Sequence, residues 1–162
     1  MPADSASVWT VDVDNAPSRL RSLPTWLVAQ AAIRGQRIVA EVLTEQDSHR
    51  SEYALLAGLD EFGPQSQTEL SERSGLDRSD IVRWVDDLVA RKLARRSQDP
   101  QDRRRNVITL TASGQRRLGT LDRAVSTAQQ RLTQGLSGAE RQQLVGLLGR
   151  LIEGTDHARQ RR

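Results

Sequence analysis

The sequence predicts a mainly α-helical fold carrying one small β-hairpin. Apolar residues recur at a period near 3.6 over most of the 162 residues. One β-branched run, Val107-Ile-Thr-Leu-Thr111, breaks that period, and helix-stopping and helix-starting residues crowd between Gly63 and Asp77.

Residues 1–23 mix Pro, Ser, Asp and Asn with a brief apolar alternation of Trp9, Val11 and Val13, and read as an N-terminal arm. From Pro24, a residue suited to the first position of a helix, to about Glu45, Trp26, Leu27, Ile33, Val39, Val42 and Leu43 fall broadly on one side. A second helix runs from about Ser51 to Phe62, with Leu55, Leu56 and Leu59 on its apolar face and Gly63-Pro64 ending it. Ser66-Gln-Thr-Glu69 is a capping box that opens a short helix, which stops at Gly75. Asp77 is then a candidate N-cap, and the helix from about Arg78 to Lys92 turns Ile81, Val85, Leu88 and Val89 inward. Short helix, glycine turn and longer helix make a helix-turn-helix. The strands Leu93–Ser97 and Val107–Thr111 form a hairpin whose polar loop, QDPQDRRRN, is a wing. Two helices close the chain. The first repeats Leu118, Leu121, Val125, Ala128 and Leu132 at the spacing of a packing seam. The second opens on the capping box Ser137-Gly-Ala-Glu140 and carries Leu144, Leu147, Leu148, Leu151 and Ile152. These seams face another helix of their kind, in the same chain or in a second copy.

The organisation expected is therefore an arm (1–23), a dimerisation helix (24–50), a winged helix-turn-helix domain (51–111), C-terminal dimerisation helices (112–155) and a basic tail (156–162). A helical chain only 36% apolar and 28% charged completes its burial most readily against a partner subunit, so a homodimer is expected.

Composition excludes several classes. The sequence has no cysteine, and its two histidines, His49 and His157, stand in polar surroundings, so no disulfide, thiol redox sensor, metal site or cofactor is expected. No Gly-rich phosphate loop or nucleophile motif occurs, and Asp99 and Asp102 fall in the exposed wing, so an enzyme is not expected. No run approaches the roughly 18 apolar residues of a membrane span, and the N-terminus lacks the pattern of a signal peptide. A soluble, cytoplasmic protein is the expectation.

The net charge is only +3, yet it is unevenly distributed. Between Arg78 and Arg105 stand nine basic and five acidic residues, an excess of four that exceeds the charge of the whole chain. All but one of the 24 basic residues are arginine, whose planar fork matches phosphate and guanine edges, though a GC-rich genome also favours arginine, so the clustering decides. The expected partner is double-stranded DNA. The front of the recognition helix offers Arg78, Ser79, Asp80 and Arg83 to the major groove. Asp80 reads cytosine there or serves as a first-turn carboxylate and brace for Arg83. Ser66, Gln67 and Thr68 begin the preceding helix, where hydroxyls and backbone N–H groups hold a phosphate, cap the helix, or do both. In the wing, Arg103, Arg104 and Arg105 repel one another to no benefit of folding, and a narrow minor groove attracts such side chains; the other reading is a solvated charged turn. The competing reading is a winged helix used as an architectural or protein-interaction module; the arginine-rich wing counts against it.

The run LSERSGLDRSDIVRWVDDLVARKLARRSQDPQDRRRNVITLTASGQRRL resembles the MarR/SlyA-type bacterial regulators, most specifically in the wing D-P-x-D-R-R and the closing V-x-x-L-T-x-x-G. The resemblance extends over about residues 25–153. It implies a homodimer with intertwined terminal helices reading a palindrome, with repression as the default. It further implies that Asp102 steadies the wing while Arg104 probes the minor groove, Arg103 and Arg105 being phosphate neighbours. Val82 departs from the threonine or serine common at its position, and Trp84 from an aliphatic residue. Many members take small aromatic or phenolic ligands in a crevice between dimerisation helices and DNA-binding lobe; Trp26, Tyr53 and Trp84 are the candidate walls of such an effector site, or ordinary core.

Overall fold

The structure, a computed structural model, describes residues 13–98 and 106–160, with side chains as far as residue 154. After a 3₁₀ turn at Val13–Asn15, the chain forms α1 (Ser18–Arg21), α2 (Pro24–Thr44), α3 (Arg50–Phe62), α4 (Gln67–Ser74), α5 (Arg78–Ala90), β1 (Ala94–Gln98), β2 (Asn106–Leu110), α6 (Ala112–Leu132) and α7 (Gly138–Gln160). This is the mainly α fold with a β-hairpin that the sequence predicts. Trp9 and the wing residues 99–105 lie outside the described residues.

Local chemistry sets most of the boundaries. Both capping boxes form: Ser66 Oγ accepts from the Glu69 N–H while the Glu69 carboxylate accepts from the Ser66 N–H, and Ser137 and Glu140 repeat the exchange. His49 begins α3, its Nδ1 accepting from the Ser51 N–H at 3.2 Å. Gly75 ends α4 in the left-handed conformation, with φ of 67°. Asp77 occupies the N-cap position of α5, but its side chain makes no capping hydrogen bond.

Five expected boundaries move. Helix α5 ends at Ala90 rather than Lys92, because Lys92 takes φ of 58° and closes a Schellman motif, with Lys92 N–H bonding to the Val89 carbonyl and Leu93 N–H to that of Leu88. The first strand lies one residue later than expected at both ends, at Ala94–Gln98, and the second one residue earlier at both ends, at Asn106–Leu110. Thr111 leaves the hairpin to cap α6, its Oγ1 accepting from the Gly114 N–H at 3.0 Å.

The two strands pair antiparallel from Ala94↔Leu110 to Gln98↔Asn106. Gln65 adds a single bridge on the other side of β2, exchanging both backbone hydrogen bonds with Ile108 at 3.0 and 2.7 Å. That bridge ties the start of α4 to the hairpin. The core lies among α3, α4, α5, β2 and α6, where Leu55, Leu56, Leu70, Val85, Ile108 and Leu121 are fully buried. Ile81, Val85 and Leu88, spaced four and three residues apart, are the buried stripe of α5. The seam of α6 packs within the chain, along α2 and α3: Leu132 lies against Gly35, and Arg131 pairs with Glu41 at 3.0 Å. The apolar side chains of α7, by contrast, are exposed.

Candidate nucleic-acid interface

Burying one face of α5 leaves the opposite face outward by helical geometry. Arg78, Ser79, Val82, Arg83 and Asp86 are the exposed residues of that face. Arg78 lies in the first turn, beyond the extended Asp77 that starts the helix. Arg83 reaches back to Asp80 at 3.4 Å, and its guanidinium carbon sits 5.4 Å from the centre of the Trp84 ring. The brace expected of Asp80 is thus present, in an exposed and weak form.

On the flank, Arg96 of β1 donates to Asp86 at 2.6 Å and fastens the hairpin to α5. Arg95 alternates to an exposed position on the same strand. Among the described residues, Arg78 and Arg95 make no ion pair, so their charge remains available to an anion. Gln98 and Asn106 are the ladder partners at the end of the hairpin that the loop joins. Asp102, Arg103, Arg104 and Arg105 belong to that loop and lie outside the described residues.

At the start of α4 the three candidates divide. Ser66 is buried, its hydroxyl donating to the Glu69 carboxylate at 2.6 Å while accepting from the Glu69 N–H. Gln67 is half-buried and Thr68 exposed. Capping therefore occupies Ser66, and Thr68 is the hydroxyl left facing solvent.

Trp26, Tyr53 and Trp84 are each half-buried, on three different helices. Tyr53 donates to Asp122 at 3.0 Å, joining α3 to α6; burial raises its phenol above the usual range, and the bond to and charge of Asp122 raise it further. Trp84 stacks on His49, ring centres 5.1 Å apart and planes 9° from parallel. A cavity of about 770 Å³ opens along the second half of α2, the turn that follows it and the end of α6; Ile33, Arg34, Arg37, Leu43, His49 and Leu132 line it. None of the three aromatic candidates lines this cavity, but Trp84 touches it through His49. Sequence reasoning missed that stack, since His49 and Trp84 are 35 positions apart.

It also missed a buried cluster under α5. Glu52 is 1% exposed and accepts from Arg91 at 2.9 and 3.1 Å and from Arg117 at 2.8 Å. Arg117 additionally donates to the carbonyls of Gln46 and Asp47. Burial alone would raise the Glu52 carboxyl, but the hydrogen bonds and charges of the two arginines outweigh it and hold the group below the usual carboxylate range. The signal was a carboxylate at position 52 of the apolar stripe 52, 55, 56, 59. Among the described residues no cluster of metal-ligating side chains occurs, and no helix is long and apolar enough to cross a membrane.

This arrangement recurs in known proteins. The protein-family model of the MarR family matches residues 49–105. The HTH-type transcriptional repressor NicR of Pseudomonas putida is 30% identical over 149 residues, covering 90% of this chain and 92% of NicR. Among solved structures, Bordetella bronchiseptica BpsR, whose DNA binding is regulated by 6-hydroxynicotinic acid, superposes with a TM-score of 0.71 at 25% identity, covering 84% of this chain and 97% of BpsR. The PcaV transcriptional regulator of Streptomyces coelicolor, in complex with its natural ligand, gives 0.70 at 27% identity over 86% and 99% of the two chains. With the helix-turn-helix, the hairpin and near full-length similarity to NicR in agreement, the chain belongs to the MarR family of winged helix-turn-helix, DNA-binding transcriptional regulators.

Proposed function

We propose that the protein is a homodimeric repressor that binds a two-fold-symmetric operator and releases it when a small aromatic ligand binds. The observation that carries this reading is the division of the surface. Among the described residues, Arg78 and Arg95, which make no ion pair, stand on α5 and the wing strand β1, while exposed apolar side chains gather on α1, α2 and α7. In this reading α5 enters the major groove with Arg78, Ser79 and Arg83 foremost, and Thr68 at the start of α4 meets a phosphate. Arg104 enters the minor groove, Asp102 steadies its loop, and Arg103 and Arg105 neutralise phosphates.

Support for a ligand comes from BpsR, whose DNA binding is regulated by 6-hydroxynicotinic acid, from PcaV, which binds a natural ligand, and from the cavity beside α2. Its apolar walls suit an aromatic ring, and Arg34, Arg37 and Arg50 at its edge suit a carboxylate on that ring. His49 links the cavity wall to Trp84 in α5, so an occupant that shifts His49 also shifts the helix that reads DNA. By linkage the ligand must then weaken operator binding by the factor by which the operator weakens the ligand.

Selection from a pool of random duplexes, followed by anisotropy titration of the enriched sequence at several salt concentrations, tests the reading. The expected result is a palindrome bound at least about a thousandfold more tightly than random DNA. No enrichment, with binding that vanishes as salt rises, would overturn it in favour of an architectural role.

A further inference from the structure

The outward face of α5 carries one residue that its neighbours do not explain. Arg78, Ser79, Arg83 and Asp86 are polar, but Val82 in their midst is 47% exposed. Among the described residues of the lobe spanning 50–110, only Phe62 and Val82 are exposed large apolar side chains. Phe62 is accounted for, because the Arg73 guanidinium lies 4.0 Å above its ring. Val82 adds nothing to the core, whose stripe on this helix is Ile81, Val85 and Leu88. A β-branched residue is also a poorer helix former than the straight-chain residues that usually occupy exposed positions. Neither packing nor helix propensity therefore calls for valine here.

Its position does suit one ligand group. Val82 lies one turn beyond Arg78 and Ser79 on the same face, so it follows them into any groove that α5 enters. Asp86, one turn further on, is held back by Arg96 at 2.6 Å. We propose that Val82 determines sequence specificity by packing on the C5-methyl group of a thymine in the major groove. The inference rests on the operator-binding reading of α5 and names the base that this face selects. Thymine is the base whose major-groove edge is partly apolar. A guanine, cytosine or adenine edge against valine would lose water without gaining a hydrogen bond, so those bases are rejected as thymine is accepted. Arg78 and Arg83 flank Val82 and present forks for guanine, so each half-site should place guanine close to that thymine.

The test starts from the duplex enriched by the wild-type protein, in which each thymine is replaced in turn by deoxyuracil. That change removes the methyl group and leaves base pairing intact. One symmetry-related thymine should cost the wild type about fourfold in Kd per half-site, the factor equivalent to ~0.8 kcal/mol for one buried methyl-sized group. Val82→Ala should bind the thymine and uracil duplexes alike, with an unchanged melting temperature because the site is exposed. The proposal is overturned if uracil costs the wild type nothing at any thymine, or if Val82→Ala keeps the full uracil penalty. Failure to enrich any duplex is a different result: it overturns the operator reading and removes this inference with it.

Discussion

Glu52 shows how one residue couples the two halves of the molecule. Its carboxylate is buried in α3, yet it bonds to Arg91 just beyond the recognition helix and to Arg117 on α6, which in turn holds the carbonyls after α2. Breaking a buried ion pair from one side costs about 3–5 kcal/mol, because the remaining charges stay desolvated. Here the lower end applies, since Arg91 keeps Asp87 at 3.1 Å and Arg117 keeps its carbonyls. Glu52→Gln should therefore lose roughly 3 kcal/mol of stability at neutral pH, read from urea unfolding at fixed protein concentration. The pH dependence has a fixed sign. The folded-state carboxyl titrates below its unfolded value, so its contribution is complete above the unfolded value of about 4.3 and is lost as pH falls through the folded one. The gap between wild type and Glu52→Gln should then narrow in acid; a constant gap would show that the ion pair is not its source. Arg104 makes a contrasting case at the same scale. In the proposed minor-groove role, Arg104→Ala should weaken operator binding by about tenfold to a hundredfold, the range of one lost base-step contact, and leave the melting temperature in place. Equal affinity would remove that role from Arg104.

Among the elements, the start of α6 explains a motif that the sequence offers only as a pattern. In Val107-Ile-Thr-Leu-Thr-Ala-Ser-Gly114, Thr111 caps the helix and its one hydroxyl proton lies within reach of the carbonyls of both Lys92 and Leu93. A Cβ on Gly114 would overlap the Leu93 carbonyl oxygen and come within 2.6 Å of Leu110 Cδ1. Glycine is therefore required by the close approach of the Leu93 backbone, just before β1, to α6. Overpacking of this kind costs roughly 1–3 kcal/mol, against about 1 kcal/mol of helix propensity gained by alanine. Gly114→Ala should be destabilising by up to about 2 kcal/mol, whereas Gly119→Ala, whose Cβ would meet nothing within 4 Å, should be neutral or stabilising. Thermal unfolding of the two variants side by side checks this, and equal shifts would refute the steric argument. The same elements show what was legible in sequence and what was not. Capping boxes and apolar stripes are local signals, and α3, α4 and α5 begin within one residue of where those signals place them. The end of α5 was misplaced because a lysine, Lys92, holds the left-handed position where glycine is the usual sign. The Gln65 bridge, the His49–Trp84 stack and the Glu52 cluster depend on tertiary contacts over 35 to 65 positions, which no local period encodes. The face of α5 bearing Arg78, Ser79 and Arg83 was readable for the opposite reason: a buried stripe at helical spacing fixes which residues point away from it.

For the whole molecule, the decisive feature is α7. Val145, Leu147 and Ile152 are 72%, 52% and 59% exposed, and Leu144, Leu148 and Leu151 stand open beside them. Leu20, Leu23, Leu27 and Val28 on α1 and α2 are exposed as well. A soluble monomer rarely leaves so continuous an apolar surface in water. A second copy is the cover that this chain can always supply, and a two-fold axis would let α7 of each protomer lie on the apolar α1–α2 surface of the other. The same axis would present two copies of α5 to successive major grooves, so that dimerisation and operator symmetry share one cause. Sedimentation should give a dimer at micromolar concentration, and Leu147→Asp with Leu151→Asp should give a folded monomer, because both residues lie on α7 outside the buried core. Linking two half-site contacts multiplies affinity by an effective-concentration factor of about 10²–10⁴, so the monomeric variant should lose operator affinity by that order while keeping Arg78, Arg83 and the wing intact. If the double variant still sediments as a dimer, α7 is not the interface. If it becomes a monomer and binds as tightly as before, one lobe alone reads the operator, and the two-fold architecture has no part in recognition.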